Sequence, residues 1–256
     1  MRAAIITCPR NGVDYLPGTL ASMREHAGAD IEVCVFSDTK EGPSEVQGAP
    51  VQHADAFMLE RWTLVDRLGM DRKSVHSFNF ERAFDWVAKS GTFGCVFEDD
   101  VVFADDWALR CEQLAAKASP IERSWAVALF HLYKLHDFTR LAVSAGKDAL
   151  LRWKHTGNYY GSQGTLVSRE FAAGFSKAAR EVLSRDEPEK WQEWRANDLA
   201  LKRYAMESGI RLMASYPCLV QHVGDVSSLR LHPPFIARCF HQTRQPETAE
   251  HGVWPR

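Results

Sequence analysis

The sequence predicts an α/β fold on a sheet with parallel members. Short apolar runs alternate with helix-patterned segments three times within about the first hundred residues, the signature of strands joined by crossover helices. Hydrophobic residues make up 45% and charged residues 25% of the 256, ordinary globular values for a chain long enough to bury a full core. No internal repeat, low-complexity tract or Pro/Gly/Ser linker divides the chain, so one domain is expected.

Each element has a local reason. Residues 3–8 (AAIITC) form a short apolar run closed by Pro9-Arg10, which reads as a buried strand and a loop. Tyr15, Leu16, Leu20 and Met23 recur at helical spacing, so a helix is expected over 15–27. A second strand covers 31–36 (IEVCVF) and is closed by Ser37-Asp38. The two prolines and two glycines of 42–50 predict a loop. Residues 74–88 read as a helix and 93–97 as a third strand, followed at once by Glu98-Asp99-Asp100. The second half is less regular. Helices are expected at 107–118, 171–183 and 198–208, the last with Asn197 as a cap and Gly209 at its end. Strands are expected at 125–130, 210–214 and 218–223, and 155–164 is a polar, aromatic, glycine-bearing loop.

Composition excludes several classes. Lys plus Arg is 31 and Asp plus Glu is 33, a net charge of −2. That balance argues against a general nucleic-acid coat or a polybasic membrane binder. The longest apolar stretches are about eight residues, against the ~20 a bilayer requires, so no membrane span is expected. The N-terminus lacks the pattern of a signal peptide. Cysteines at 8, 34, 95, 111, 218 and 239 form no CxxC pair. Three of them, Cys8, Cys34 and Cys95, lie in strand-like runs. Buried reduced thiols and a cytoplasmic location are therefore expected.

The strongest chemical signal is GCVFEDDVVF, residues 94–103. Three adjacent carboxylates end a buried strand, and their repulsion must be compensated. A divalent cation does this, since hard oxygen ligands suit Mg²⁺ or Mn²⁺. The carboxyl end of a parallel strand is also where open α/β sheets bind nucleotides. A solvated turn with capping aspartates is the plainer alternative.

The EDD run in this setting resembles the acidic DxD motif of GT-A glycosyltransferases. SVHSFNFERAFDWVAKSGTFGCVFEDDVVF is similar to the segment that leads into the acidic motif of the branching N-acetylglucosaminyltransferases of type IV. Tyr15-Leu16 with Thr19-Leu20 resembles that family's "SYL…TL" segment. VQHVGDVSSL, residues 220–229, resembles its "FQHVGTHSSL" segment. The resemblance is collinear from about residue 4 to about residue 230. It implies a GT-A-type nucleotide-sugar-binding sheet flanked by helices over 1–235, with a nucleotide half to about 104, an acceptor half from about 105 and a tail over 236–256.

The resemblance further implies a metal-dependent, inverting transfer from a nucleotide sugar, usually a UDP-sugar, with Mn²⁺ or Mg²⁺ as cofactor. Asp100 would coordinate the metal, and His222 would supply a second ligand. Glu98 or Asp99 would contact the ribose or support the metal's water shell. Asp198 is the candidate general base, with Asp186, Glu187, Glu189 and Glu193 as competitors; its plain role would be to favour a helix dipole. Replacing such a helix-start acid by Asn should change stability by ~0.5 kcal/mol or less. Pro9, Arg10 and Asp38 sit where a nucleoside would bind, and Arg72, Asn79 and Arg82 are candidates to face it. Gly161, Ser162, Gln163 and Gly164 are candidates to lie against the donor sugar, beside Asn158, Tyr159 and Tyr160. The acceptor is left open among a glycan, a lipid-linked glycan, a small molecule, a protein and a modified DNA base. Two further classes compete: a nucleotidyltransferase that releases pyrophosphate, and a non-catalytic glycan- or nucleotide-binding module.

Overall fold

The computed structural model describes residues 1–7, 14–67, 73–89, 91–131, 138–143, 148–153, 161–185, 187, 190, 191, 194 and 197–223. Ten strands form one mixed sheet. Its first half is the expected parallel unit: β1 (Arg2–Thr7), α1 (Leu16–Glu25), β2 (Glu32–Ser37), α3 (Lys73–Ala88) and β5 (Phe93–Glu98). Between β2 and α3 lie β3 (Glu45–Val46), β4 (Ala49–Gln52) and α2 (Ala56–Arg67). The loop expected over 42–50 thus contains two short strands, turned by Gln47 and Gly48 at positive φ.

After β5 come β6 (Val101–Phe103), α4 (Trp107–Ala118), β7 (Ala126–Ala128), β8 (Phe138–Val143), β9 (Ala149–Trp153) and β10 (Gly164–Ser168). The chain continues through α5 (Arg169–Ser184), α6 (Asn197–Glu207), β11 (Leu212–Tyr216) and β12 (Val220–His222). The large sheet runs β3-β4-β2-β1-β5-β10-β7-β11-β9-β8, and β12 pairs with β6 in a separate two-stranded sheet. One continuous sheet therefore spans both halves of the chain.

Strand periodicity sets the layers. On β1, Ala4 and Ile6 face one core while Ala3 and Ile5 face the other, as a period of two requires. The first core packs α2, α3, α5 and α6 through Met58, Phe80, Phe84, Phe171, Phe175 and Leu201. The second packs α1 and α4 through Leu20, Met23, Trp107 and Leu114. Ser168 starts α5 by accepting the backbone N–H of Phe171 at 3.1 Å, a side-chain cap worth ~1 kcal/mol.

The order of strands fixes where a ligand can enter. β2 and β5 lie on opposite sides of β1, and both are parallel to it. Strand order reverses there, the topological position at which open α/β sheets bind ligands at the carboxyl ends of their strands. Register places Thr7 opposite Ser37, and Ile6 opposite Glu98.

Candidate active site

Glu98 ends β5, and Asp99 and Asp100 follow it directly at that carboxyl end. Asp99 and Asp100 are each only 3% exposed. Two adjacent buried carboxylates require compensation, and the neighbouring elements supply it. Thr7 Oγ1, at the end of β1, donates to Asp99 Oδ2 at 2.5 Å. Thr19 Oγ1 on α1 lies 2.5 Å from the Asp99 carbonyl and 3.0 Å from that of Val101. The turn that carries the acids is thereby fastened to the first βα unit.

Asp100 is joined to a residue 122 positions later. His222 Nε2 lies 3.0 Å from Asp100 Oδ2, and the Val223 N–H donates to the Asp100 carbonyl at 2.8 Å. The β6–β12 pairing is responsible, because its register sets His222 opposite Val101. Gly164 helps to admit β12. A Cβ on Gly164 would come within 2.8 Å of Val220 Cγ2 and 3.1 Å of Phe97 Cδ1, too close for either neighbour.

A second pair of acids meets through the turn before β10. Ser162 Oγ donates to Glu98 Oε1 at 2.8 Å. The N–H groups of Gly161 and Ser162 donate to Asp198 Oδ1 at 2.9 and 2.7 Å. Asp198 is the second residue of α6, so its carboxylate does more than lie at a helix start: it anchors the 161–162 turn. Burial is the main cause that pushes its pKa up, from an ordinary 3.8 to about 6. The Glu98 charge pushes in the same direction, while the two backbone donors oppose it. Asn197 Nδ2 lies 3.5 Å from Glu98 Oε1. Asn197 appears in the sequence reading only as a helix cap, and no periodicity could have placed it beside Glu98.

The remaining candidates divide. Gln163 is buried, and its carbonyl accepts the Glu98 N–H at 3.2 Å. Asp38 follows β2 at the same edge, where its N–H donates to the Thr7 carbonyl at 3.3 Å. Asn79 is fully buried on α3 and accepts from Arg82 Nη1 at 3.3 Å. Arg82 also donates to the His53 carbonyl at 2.9 Å and to Met58 Sδ at 3.2 Å. It therefore ties α3 to α2 and to the end of β4. Pro9, Arg10, Arg72, Asn158, Tyr159, Tyr160, Asp186, Glu189, Glu193 and the tail after 223 lie outside the described residues. Glu187 is described and pairs with Lys190.

Among the described residues no three His, Cys, Asp or Glu side chains form a complete metal-ligand group. Asp100 and His222, paired by a hydrogen bond, are two described side chains that could hold one ion together. Cis donors held at ~2.1 Å in octahedral geometry lie about 3.0 Å apart, and Asp100 Oδ2 and His222 Nε2 are separated by 3.0 Å. A carboxylate oxygen and an imidazole nitrogen suit Mn²⁺, and the oxygen also suits Mg²⁺. No helix among the described residues is long and apolar enough to cross a membrane. Cys34, Cys95, Cys111 and Cys218 are buried free thiols, as expected for Cys34 and Cys95. Cys8 and Cys239 are not among the described residues.

No protein-family model matches the chain, and no curated protein matches it. Among solved structures it is similar to the galactosyltransferase LgtC in complex with donor and acceptor sugar analogs, at 11% identity and a TM-score of 0.46, over 83% of this chain and 73% of that one. It is also similar to a protein assigned as a glucose-1-phosphate thymidylyltransferase from Bacillus anthracis, in complex with a sucrose. That likeness has 10% identity and a TM-score of 0.43, over 87% of this chain and 89% of that one.

Proposed function

We propose that this protein is a GT-A-type, metal-dependent inverting glycosyltransferase that moves a sugar from a nucleotide sugar, most simply a UDP-sugar, to an acceptor hydroxyl. The observation that carries the reading is the meeting of Asp100 and His222 at 3.0 Å, at the carboxyl end of β5. A hydrophobic strand need not end in three acids, and β12 need not return a histidine to one of them. A cation held by Asp100 and His222 would supply Lewis-acid stabilisation to the leaving diphosphate.

Asp198 is the proposed base. The acceptor oxygen attacks the anomeric carbon, and the bond from that carbon to the diphosphate breaks with its electron pair leaving on the nucleoside diphosphate. The hydroxyl proton passes to the Asp198 carboxylate. A pKa near 6 leaves that carboxylate mostly ionised at pH 7.5, and more basic than an ordinary aspartate. Both properties favour general-base work. The Gly161 and Ser162 N–H groups fix its orientation through Oδ1.

The test is calorimetry of UDP binding with Mn²⁺, with Mg²⁺ and in EDTA, followed by a donor screen for nucleotide release. Thermal stabilisation at about 100 times Kd is worth ~2.7 kcal/mol, and it should depend on the metal in the native protein but not in Asp100→Ala. Equal binding in EDTA overturns the metal assignment. Release of pyrophosphate instead of nucleoside diphosphate overturns sugar transfer in favour of nucleotidyl transfer.

A further inference from the structure

We infer that Asn197 and Gln163, each in contact with Glu98, read hydroxyl groups of the transferred sugar by accepting their hydrogen bonds. The inference rests on the transferase reading and adds residues and a recognition chemistry to it. Asn197 is only 4% exposed and Gln163 only 6%. Asn197 Oδ1 and Gln163 Oε1 are buried and meet no donor among the described residues. Buried amide oxygens ordinarily find partners, and leaving one without a donor is unfavourable.

Turning the Asn197 amide over does not remove the problem. Its Nδ2 lies 3.5 Å from Glu98 Oε1, and the flipped group would point an oxygen at that carboxylate. The orientation is therefore set by Glu98, and the amide oxygen is left over. Glu98 Oε1 already takes the Ser162 hydroxyl, and Asp198 Oδ1 already takes two N–H groups. The described local donors are thus directed at the acids, while the amide acceptors remain. A ligand that complements this wall must bring donors of its own. Sugar hydroxyls do so without the desolvation that burying a cation beside the amides would require. Both residues meet Glu98, Asn197 through its side-chain Nδ2 and Gln163 through its main-chain carbonyl, which accepts the Glu98 N–H. Asn197 directly precedes the proposed base on α6, Gln163 follows the turn which that base anchors, and Glu98 is two residues from the proposed metal ligand, so the two amides flank the place proposed for the donor sugar.

The experiment compares wild type with Asn197→Leu, Asn197→Ser and Gln163→Met by calorimetry with Mn²⁺. The ligands are UDP, UDP-glucose, UDP-galactose and UDP-N-acetylglucosamine, with deoxy analogues of whichever sugar nucleotide binds. UDP affinity should stay within about twofold in every variant, while the ratio of UDP-sugar to UDP affinity falls roughly 3- to 10-fold, the scale of one neutral hydrogen bond. Removing one particular hydroxyl should weaken wild type and leave the variant indifferent, the signature of a coupled pair. Asn197→Ser, which is smaller and remains a good helix start, serves if Asn197→Leu fails to fold. An unchanged ratio means that ordered water alone occupies these acceptors and overturns the inference. A variant that loses UDP and UDP-sugar affinity equally, together with melting temperature, assigns the amides a structural role and also overturns it. Absence of metal-linked UDP binding in wild type overturns the transferase reading itself and this inference with it.

Discussion

Replacing Asp198 by Asn should make the protein more stable and less active at the same pH. Oδ1 accepts two backbone N–H groups, and the Asn oxygen can accept the same pair. What the substitution removes is a negative charge that burial and Glu98 disfavour. Their combined effect raises the pKa from 3.8 to about 6, so the native state holds its proton over a window in which the unfolded chain has lost it. Below pH ~4 both states are protonated and the wild type has the full benefit. As pH rises from about 4 to about 6 the native protein increasingly carries the buried charge, and stability declines. The difference amounts to about 3 kcal/mol at ~1.4 kcal/mol per pH unit. Since Asp198 is part-exposed, about 1–3 kcal/mol is expected. Asp198→Asn lacks this loss, so at pH 7.5 it should melt ~2–10 °C above wild type, with the gap closing near pH 4. Acceptor-dependent transfer should fall by ~100-fold or more, with UDP affinity retained. Calorimetric melts at pH 4, 5, 6 and 7.5 measure the first effect, and nucleotide release measures the second. A variant less stable than wild type at pH 7.5, or a gap independent of pH, refutes the electrostatic reasoning; activity within about threefold of wild type removes Asp198 from the mechanism.

Gly164→Ala should destabilise by ~1–3 kcal/mol, because its Cβ meets Val220 and Phe97; metal-linked UDP binding should weaken as β12 moves His222, and both are read by melts with and without UDP and Mn²⁺. Asp148→Ala should lose ~3–5 kcal/mol in urea unfolding, since it strands Arg110, which now holds the buried Asp148 carboxylate at 2.7 Å. In the native protein Cys34, Cys95, Cys111 and Cys218 should stay unmodified by a thiol reagent at pH 8, because all four are buried and the Cys34 thiol is pushed up to about 11; denaturation should expose them, and peptide mapping distinguishes the four from Cys8 and Cys239.

The parts of this fold that could be read in advance are those whose signal lies within a few consecutive residues. β1, β2 and β5 are apolar runs ended by polar residues, and α4 falls on the expected residues 107–118, because Trp107, Cys111, Leu114 and Ala118 mark one helical face. The elements that escaped are short or half-exposed. β10 begins at Gly164, at the end of what reads as a loop, and β8 and β9 give no clear alternation in sequence. Among the described side chains of α2, Met58 and Val65 are buried and Phe57 and Leu64 are half-buried against the same core, a pattern with no clear cap or boundary in sequence. A short strand owes its existence to a partner distant in the chain, so local pattern is a weak guide to it.

The same distinction explains the candidate site and the larger stability change now predicted for Asp198→Asn. Three consecutive acids announce themselves, whereas the partners that make them tolerable are dispersed: Thr7 on β1, Thr19 on α1, Ser162 before β10 and His222 on β12. Read alone, Asp198 is a helix-start acid whose loss should change stability by a few tenths of a kcal/mol. Folded, it lies at the end of a chain of contacts running Glu98–Ser162–Asp198, in which two carboxylates share one serine. Ser162 donates its hydroxyl to one acid and its backbone N–H to the other, and so holds the pair at a fixed spacing that their charges oppose. Such an arrangement is poor for stability and useful for proton transfer, because it keeps a carboxylate both basic and oriented. Removing the Glu98 charge should relax Asp198. Glu98→Gln should therefore lower the Asp198 pKa towards an ordinary aspartate, by removing the charge that now raises it, and shift the acidic limb of the transfer profile to lower pH. An acidic limb unchanged in Glu98→Gln would separate the two carboxylates and leave burial as the sole source of the Asp198 shift.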